Sequence, residues 1–355
     1  MSDPAPLPPR PFASDNNAGI IPEVWQALAE ANQQPHCAAY GEDGWTRAAT
    51  AEFRRVFEHD DLEVFFVFNG TASNSLALAS LCESVQGVIC HRHSHVMTDE
   101  CNAPAFFRHG LSLLPVEGEA GKIPSMAVRE RCATLRHIHA PEARALSVTQ
   151  STELGTVYTP AELQTLTATA RELGLKVHMD GARFSNAVAA LNASPADLTW
   201  RAGVDVLSFG GTKNGMGSGE SVVFFDRAQA ANFKRRMKQS GQLASKMRFL
   251  SAQWLGFLRG DAWLKHARQA NKTAAYLAES LARLPGIRIA QPREANAVFV
   301  SLSPAAAEAL WARGWAFYDD VGPAGAVRLM CAWDSTAEDV ALFVADLAAW
   351  MARAA

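Results

Sequence analysis

Short apolar runs alternate with amphipathic stretches from about residue 50 onward, and this alternation predicts a sheet whose strands are separated by helices. The run VFFVF (64–68) has no polar position, which is typical of a strand covered on both faces. Similar runs predict strands at 87–90, 145–149, 175–179, 204–209 and 221–225. Helices are predicted between them, among others at 72–85, 160–173 and 182–191. This order indicates an α/β domain with a mostly parallel sheet.

The helix after residue 159 carries clear start and stop signals. Thr159 suits the N-cap, Pro160 the first helical position, and Glu162 the third position of a capping box. Leucines at helical spacing follow, and Gly174 ends the pattern.

The pattern changes after about residue 265. An Ala- and Leu-rich helix (267–284) precedes two strands (297–302 and 326–333) and a terminal helix (336–353), which together predict a smaller α+β domain. We therefore expect three regions. They are an N-terminal arm and segment that packs on the small domain or an interface (1–48), a large α/β domain (49–265) and a small C-terminal domain (266–355).

Composition narrows the class of protein. The chain has 355 residues, 48% of them hydrophobic and 19% charged, with a net charge of −3, which suits a soluble globular protein without affinity for nucleic acid or anionic membranes. No apolar run could span a bilayer, and the proline-rich N-terminus has no signal-peptide core. Its six cysteines form no CxxC pair, so we expect free, buried thiols and a cytoplasmic location.

Lys213 and Asp180 are the strongest candidates for chemistry. The apolar run 204–209 leads into GGTKNG, which places Lys213 in a glycine-rich turn, and the run 175–177 leads into HMDGAR, which places Asp180 after a strand. Ligands of open α/β sheets bind at such strand ends. A Lys for a Schiff base and a carboxylate for a pyridinium nitrogen are what pyridoxal phosphate (PLP) needs. Alternatively, Lys213 is simply solvated and Asp180 caps the next helix.

Other residues fit the same interpretation. The fixed fork of Arg183 could bind the ring's phenolic oxygen or a substrate carboxylate. Strand, Asn-Gly-Thr and helix follow one another at Gly70 and Thr71, an arrangement that binds phosphate through free amides, although a plain capped turn has the same letters. Arg328 could hold an amino-acid carboxylate.

The histidines at 91, 93 and 95 raise the question of a metal. Their period-two spacing would place them on one side of a strand, but no Glu or Cys stands at usual zinc distances and HExxH is absent. We expect no metal site. A histidine stacked on the pyridine ring is the better use of one of them. GGTKNG also does not satisfy the P-loop pattern, and no dinucleotide fingerprint is present.

Nearly the whole chain resembles the threonine aldolase family, PLP-dependent enzymes of fold type I. The resemblance is carried by SDNNAGIIPEV (14–24), YGEDGWT (40–46), NGTASNSLAL (69–78), HSHVMTDE (93–100), STELGTVYTP (151–160), HMDGARFSNA (178–187), SFGGTKNG (208–215), KMRFL (246–250) and VRLMCAW (327–333). It implies a mostly parallel sheet of the seven-stranded type in the large domain. It also implies a homodimer or homotetramer with active sites at subunit interfaces.

The resemblance also implies a role for each matching residue. Lys213 would form the Schiff base, Asp180 would pair with the ring nitrogen, and Arg183 would bind the ring oxygen. Gly70 and Thr71 would bind the phosphate, and His95 would stack on the ring. Ser14 and Arg328 would hold the substrate carboxylate, and His139 would lie near the substrate's side chain. Arg248 would reach the phosphate of a neighbouring subunit, and Tyr40 would lie near that interface.

The implied reaction is retro-aldol cleavage of L-threonine, L-allo-threonine and related β-hydroxy-α-amino acids, including phenylserine-like ones, to glycine and an aldehyde. The Lys loop, GGTKNG, differs from the SKG form of many members, which points to a low-specificity subgroup. Alternatives are a racemase or β-eliminating lyase on the same scaffold, or a non-catalytic binding module. The base for the β-hydroxyl stays open between His95, His139 and a water held by the phosphate or Glu100, with His95 preferred.

Overall fold

The strands and helices alternate along the chain. The computed structural model describes residues 11–33, 36–319 and 321–354. The strands are β1 (Glu63–Val67), β2 (Gln86–His91), β3 (Ser112–Val116), β4 (Glu142–Thr149), β5 (Lys176–Gly181), β6 (Val206–Gly210), β7 (Glu220–Phe224), β8 (Ala297–Ser301) and β9 (Ala326–Met330). The helices are α1 (Pro22–Gln33), α2 (Gly44–Val56), α3 (Gly70–Leu81), α4 (His95–Thr98), α5 (Ala103–Phe107), α6 (Ser125–Thr134), α7 (Pro160–Glu172), α8 (Phe184–Leu191), α9 (Phe233–Gln239), α10 (Arg248–Leu258), α11 (Ala262–Leu281), α12 (Pro304–Ala312) and α13 (Ala337–Ala354).

The larger sheet has seven strands in the order β1-β7-β6-β5-β4-β2-β3. The pairs from β6 through β5, β4 and β2 to β3 are parallel, whereas β7 is antiparallel to both of its neighbours. The prediction of a mostly parallel, seven-stranded sheet is therefore confirmed. Its register sets Thr149 beside Asp180 and Asp180 beside Ser208, so that the carboxyl ends of β4, β5 and β6 meet at one edge.

An aromatic cluster fills the space between the sheet and helices α2 and α10. The Phe53 and Phe209 rings each lie 5.0 Å from the Trp254 ring, measured between centroids. All three side chains are fully buried, and pairs at such distances stabilise a core beyond the area they bury. The continuous apolar runs are thus explained by helices that cover the sheet.

The second sheet pairs β8 with β9 antiparallel, and helices α11, α12 and α13 share one apolar core with it. Phe12 belongs to the same core: its ring stacks on Trp315 at 5.8 Å and meets Phe343 edge-on at 5.5 Å. The Phe12 carbonyl also accepts a hydrogen bond of 2.9 Å from the Met330 amide. The N-terminal segment is therefore packed against the C-terminal sheet.

Two expectations about cysteine and histidine need correction. None of the six cysteines forms a disulfide, but only Cys82, Cys90 and Cys331 are buried, and Cys101 is exposed because it lies in a turn at the surface. The three histidines do not share a strand, since β2 ends at His91, His93 lies in a turn and His95 begins α4. Across the described residues, no helix is both long and apolar enough to cross a membrane.

The start of α7 has the predicted capping box. The Thr159 hydroxyl accepts a 3.2 Å hydrogen bond from the Glu162 amide, and the Glu162 carboxylate accepts one of 2.7 Å from the Thr159 amide. Leu163, Leu166 and Ala170 then face the core. Two amides that lack partners at a helix start are thereby satisfied by side chains.

We expect Thr159→Ala to lower the free energy of unfolding by about 1 kcal/mol, because one helix-start amide loses its acceptor. Urea unfolding followed by circular dichroism measures the change. Thr165→Ala, at an exposed position of the same helix, is the matched control and should leave stability equal or slightly higher. Equal losses in both variants would contradict the capping role.

Candidate active site

Two adjoining cavities open at the edge where β4, β5 and β6 end. The inner cavity, of about 250 Å³, is lined by Asn16, Phe68, Asn69, Gly70, Thr71, Ser73, Asn74, His95, Asp180, Ala182, Ser208, Gly210, Thr212, Lys213, Ser218 and Glu220. The outer cavity, of about 540 Å³, is lined by Ser14, Asn16, His93, His95, Thr98, Asp99, Glu153, Leu154, Arg183, Lys213, Tyr318, Val321, Gly322 and Arg328. Asn16, His95 and Lys213 line both cavities, which therefore adjoin.

Asp180 lies buried at the base of the inner cavity. One of its oxygens accepts a 3.0 Å hydrogen bond from the Ala182 amide, and the other accepts one of 2.9 Å from the Asn74 side chain. The first contact is a local turn, since α8 begins at Phe184 with Arg183 as its N-cap and has no side-chain cap hydrogen bond. Both donors are neutral, however, which leaves the carboxylate suited to a cationic partner in the cavity.

A chain of hydrogen bonds connects Asp180 to His95. The Asn74 amide also donates to Glu100 at 2.8 Å, and Glu100 lies 2.9 Å from Nδ1 of His95. The hydrogen bond with Glu100 raises the pKa of His95, and burial raises the pKa of Glu100. The Nδ1 contact fixes the plane of the imidazole ring that lines both cavities. Asn74 was not singled out in the sequence, although it follows the Gly70 turn by one helical turn.

Lys213 projects from a short 3₁₀ turn that follows β6. The turn approaches its neighbour closely: a Cβ on Gly210 would lie 2.7 Å from the Ala182 carbonyl, and Gly215 has a φ of 103°. Each of these positions therefore requires glycine. The structure thus places Lys213 and Asp180 in one cavity.

Glu220 is a second carboxyl group of this cavity, and the sequence analysis missed it. It begins β7 and accepts a 2.9 Å hydrogen bond from the Gly211 amide, next to the Lys213 turn. Burial raises the pKa of Glu220 to about 7, although hydrogen bonds from Thr212 and the charge of Lys213 oppose the change. The sequence feature that could have indicated Glu220 is a single Glu at the start of a largely apolar strand, as in GESVVFF.

Gly70 and Thr71 form the first turn of α3 at the mouth of the inner cavity. The N-cap, Asn69, accepts from the Ala72 amide at 2.9 Å, whereas the first amides of a helix have no intrahelical acceptor. A Cβ on Gly70 would meet nothing within 4 Å, so the backbone there is open to a ligand. This geometry suits an anion such as phosphate.

Arg183 is held by Asp15, a residue that no sequence pattern singled out. Its Nε and Nη2 atoms donate to the two oxygens of Asp15 at 2.7 and 2.9 Å, and the Asn296 amide donates to Asp15 at 3.1 Å. Burial alone would raise the pKa of Asp15, but the charge and hydrogen bonds of Arg183 lower it overall. Only the fold brings residues 15, 183 and 296 together, since they lie far apart in sequence.

Arg328 and Ser14 lie in the outer cavity. The Arg328 guanidinium stands 5.2 Å from the Tyr318 ring centroid, and its buried Nε atom has no hydrogen-bond partner among the described residues. Burial and the charge of Arg183 lower the pKa of Arg328. An anionic ligand in this cavity would supply the missing acceptor. Ser14 caps the turn 15–17 and accepts from the Asn16 amide at 3.2 Å.

His139 lines neither cavity of this chain. It is exposed in a turn just before β4, and because the active-site edge is formed by the other end of that strand, His139 lies at the opposite edge of the sheet. Tyr40 and Arg248 line neither cavity of this one chain. Arg248 begins α10 and stacks on Phe249, and Lys238 lies over the Tyr40 ring at 4.8 Å.

Glu153, in contrast, enters the outer cavity without having been assigned a role. It follows β4 by four residues, and its carboxylate accepts a 3.3 Å hydrogen bond from the His95 amide. Burial and the charge of Asp180 raise the pKa of Glu153. Within the described residues, no cluster of three or more His, Cys, Asp or Glu side chains could hold a metal ion.

Comparison with known proteins agrees with this geometry. The beta-eliminating lyase family model matches residues 11–305. A low specificity L-threonine aldolase of Pseudomonas aeruginosa is 55% identical over 95% of this chain and 96% of its own length. One from a Pseudomonas species is 53% identical over 96% and 97%. The solved structure of a Leishmania major threonine aldolase has a TM-score of 0.90 at 26% identity, covering 96% of this chain and 99% of that one.

We expect Asp15→Asn to lower the free energy of unfolding by roughly 3–5 kcal/mol, because it leaves the buried Arg183 charge without its partner. The half-exposed Arg201–Glu58 pair, at 2.7 Å, offers a matched control. Glu58→Gln should cost much less, because water screens the charges of an exposed pair. Urea unfolding of both variants gives the comparison, and a loss in Asp15→Asn no larger than in the control would contradict a structural role for the pair.

We expect Glu220→Gln to flatten the dependence of stability on pH. The folded protein holds the Glu220 proton up to about pH 7, whereas an unfolded chain loses it near 4.5, so this group makes stability fall as pH rises through that window. The fall is on the order of 3 kcal/mol and should vanish in the variant. Urea unfolding between pH 4.5 and 7 measures it. Glu130→Gln, at an exposed site of α6, should keep the wild-type slope.

Proposed function

The chain belongs to the beta-eliminating lyase family and, within it, to the threonine aldolases, and from this we propose how its site performs their reaction. It is a carbon–carbon lyase that cleaves L-threonine to glycine and an aldehyde. The observation that carries the proposal is the convergence of Asp180, Lys213 and the Gly70–Thr71 turn on one cavity, which adjoins a second cavity lined by arginines.

The inner cavity is the proposed site of PLP. Its donors fit each end of that molecule: the Asp180 carboxylate for the ring nitrogen, the Lys213 amine for the aldehyde carbon, and the amides of Gly70 and Thr71 for the phosphate. Arg183 would bind the ring oxygen, and His95 would cover the ring face. When bound, PLP supplies an electron-withdrawing ring next to the substrate's Cα.

The outer cavity is the proposed site of the amino acid. Arg328, with an unsatisfied buried Nε, is the group that would bind the substrate carboxylate, assisted by Ser14 at the same wall. A planar guanidinium fixes a carboxylate in two directions and thereby orients Cα relative to Lys213. Because the cavity is wide compared with one methyl group, we propose that L-allo-threonine and phenylserine-like substrates are accepted as well.

His95 and its partners hold the boundary between the two cavities. The Glu100 contact fixes the imidazole of a side chain that lines both cavities. A residue held in this way excludes water from the reacting centre and restricts the ligand to one plane. We therefore assign His95 to clamping the cofactor.

The active unit is proposed to be a homo-oligomer with sites at subunit interfaces. Phe68, which lines the inner cavity, and Tyr40 are large and partly exposed apolar residues, a pattern that suits coverage by a second copy. Arg248 and Tyr40 would then contribute to the neighbour's site. We also propose a cytoplasmic location, which the six cysteines without a disulfide support.

We expect Lys213→Ala to abolish the visible absorbance of the Lys-bound cofactor and nearly all threonine cleavage, because no other described lysine lines the inner cavity. Absorbance spectra and glycine formation measure the two effects. Lys272→Ala, exposed on α11, is the control and should keep both. A variant that stayed yellow with unchanged turnover would overturn the assignment of Lys213.

A further inference from the structure

Charged side chains of both signs line the outer cavity. Arg183, Arg328 and Lys213 are cationic, whereas Glu153 and Asp99 are acidic. A zwitterionic amino acid that places its carboxylate against the arginines directs its remaining substituents elsewhere. The hydroxyl-bearing side chain therefore has the acidic part of the cavity available to it.

The loop that carries Glu153 is rigidly built. Gln150 exchanges hydrogen bonds with Tyr158, accepting from its amide at 3.0 Å and donating to its carbonyl at 2.8 Å. The hydroxyls of Thr152 and Thr156 lie 2.8 Å apart, and both reach the Ala120 carbonyl. Such a network holds the next side chain in one position, which is what a group acting on a substrate requires.

The carboxyl group of Glu153 can still accept a hydrogen bond from a ligand. One oxygen accepts the 3.3 Å contact from the His95 amide, and the other has no hydrogen-bond donor within the described residues. The charged groups that act on it are Asp180, which raises its pKa, and Lys213, Arg183 and His95, which lower it, while burial raises it most. A carboxyl group with a raised pKa is a stronger base than an exposed one.

The other candidates for accepting the proton of the substrate's β-hydroxyl are weaker. His139 is exposed and lies away from both cavities of this chain, and the His95 ring is fixed by Glu100 for its proposed contact with the cofactor. Asp99 is exposed to solvent, and its carboxylate already accepts a 2.6 Å hydrogen bond from Thr98. Glu153 alone among these combines partial burial with an available oxygen.

Resting on the proposed aldolase function, we propose that Glu153 receives the proton of the substrate's β-hydroxyl. The O–H bond breaks, its proton goes to the carboxylate, and its electron pair forms the carbonyl of the aldehyde. The Cα–Cβ bond breaks at the same time, and its electron pair remains with Cα. A proton added to Cα gives glycine, so atoms and electrons balance without any further reactant.

The test compares three measurements on Glu153→Gln in the holoenzyme. Cleavage of L-threonine needs the β-hydroxyl proton to be removed, and we expect kcat/KM to fall roughly 10²–10⁴-fold. Two other processes do not require removal of the β-hydroxyl proton. One is the binding of L-2-aminobutyrate, which lacks only that hydroxyl, and the other is the exchange of the glycine Cα proton with solvent. Both should hardly change. Glu119→Gln, exposed and outside both cavities, is the matched control.

Each result decides between the possibilities. Near-normal threonine cleavage by Glu153→Gln would overturn the inference. A joint loss of cleavage, aminobutyrate binding and glycine exchange would also overturn it. Glu153 would then act on groups that all three ligands share, and not on the β-hydroxyl. A wild-type enzyme that exchanges the glycine proton but cleaves no threonine would instead contradict the proposed function itself.

Discussion

The buried carboxylate of Asp180 is the constraint around which the site is organised. A carboxylate removed from water is costly unless its oxygens are hydrogen-bonded, and the fold supplies the Ala182 amide and the Asn74 side chain for this purpose. Asn74 has a second donor hydrogen, which Glu100 accepts, and Glu100 in turn holds His95. The hydrogen bonds that this one carboxylate requires thus position Ala182, Asn74, Glu100 and His95. The remaining open side of the Asp180 carboxylate faces the inner cavity.

The site also depends on chain segments that meet only after folding. The Arg183–Asp15 pair connects the end of β5 to the N-terminal segment, and Asn296 connects that segment to the start of β8. A buried pair of this kind specifies one arrangement because any other leaves a charge unpaired. The outer cavity, which lies between these segments, is consequently formed only when the C-terminal sheet is in place.

The sequence predicts what is local in this structure. Strand–turn–helix patterns located Lys213, Asp180 and Gly70, because each stands at the end of a strand whose apolar run is visible, and parallel strands end at a common edge. Asp15, Glu153 and Glu220 could not be found in this way, since an acidic residue in a loop or at a strand end has no periodicity that separates function from solvation. Helices α1 and α2 were missed although their buried residues follow helical spacing, and α10 was missed because nearly all of its residues are buried, which leaves no amphipathic stripe. The implied role of His139 stays a prediction, because this residue lines neither cavity of the single chain and a short motif without a strand or helix around it does not fix a position.

The carboxyl groups of the site differ mainly in their hydrogen-bond partners, and this difference distinguishes the structural groups from the proposed proton acceptor. Asp15 faces an arginine in two hydrogen bonds, Glu100 faces a histidine, and Asp180 faces two neutral donors; each is held in place by these contacts. Glu153 has a single long contact and an oxygen open to the substrate cavity. A group whose hydrogen bonds are complete would have to break them in order to accept a proton, whereas one with an open oxygen need not. Environments that separate carboxyl groups in this manner are how one fold holds structural and proton-transferring acids side by side.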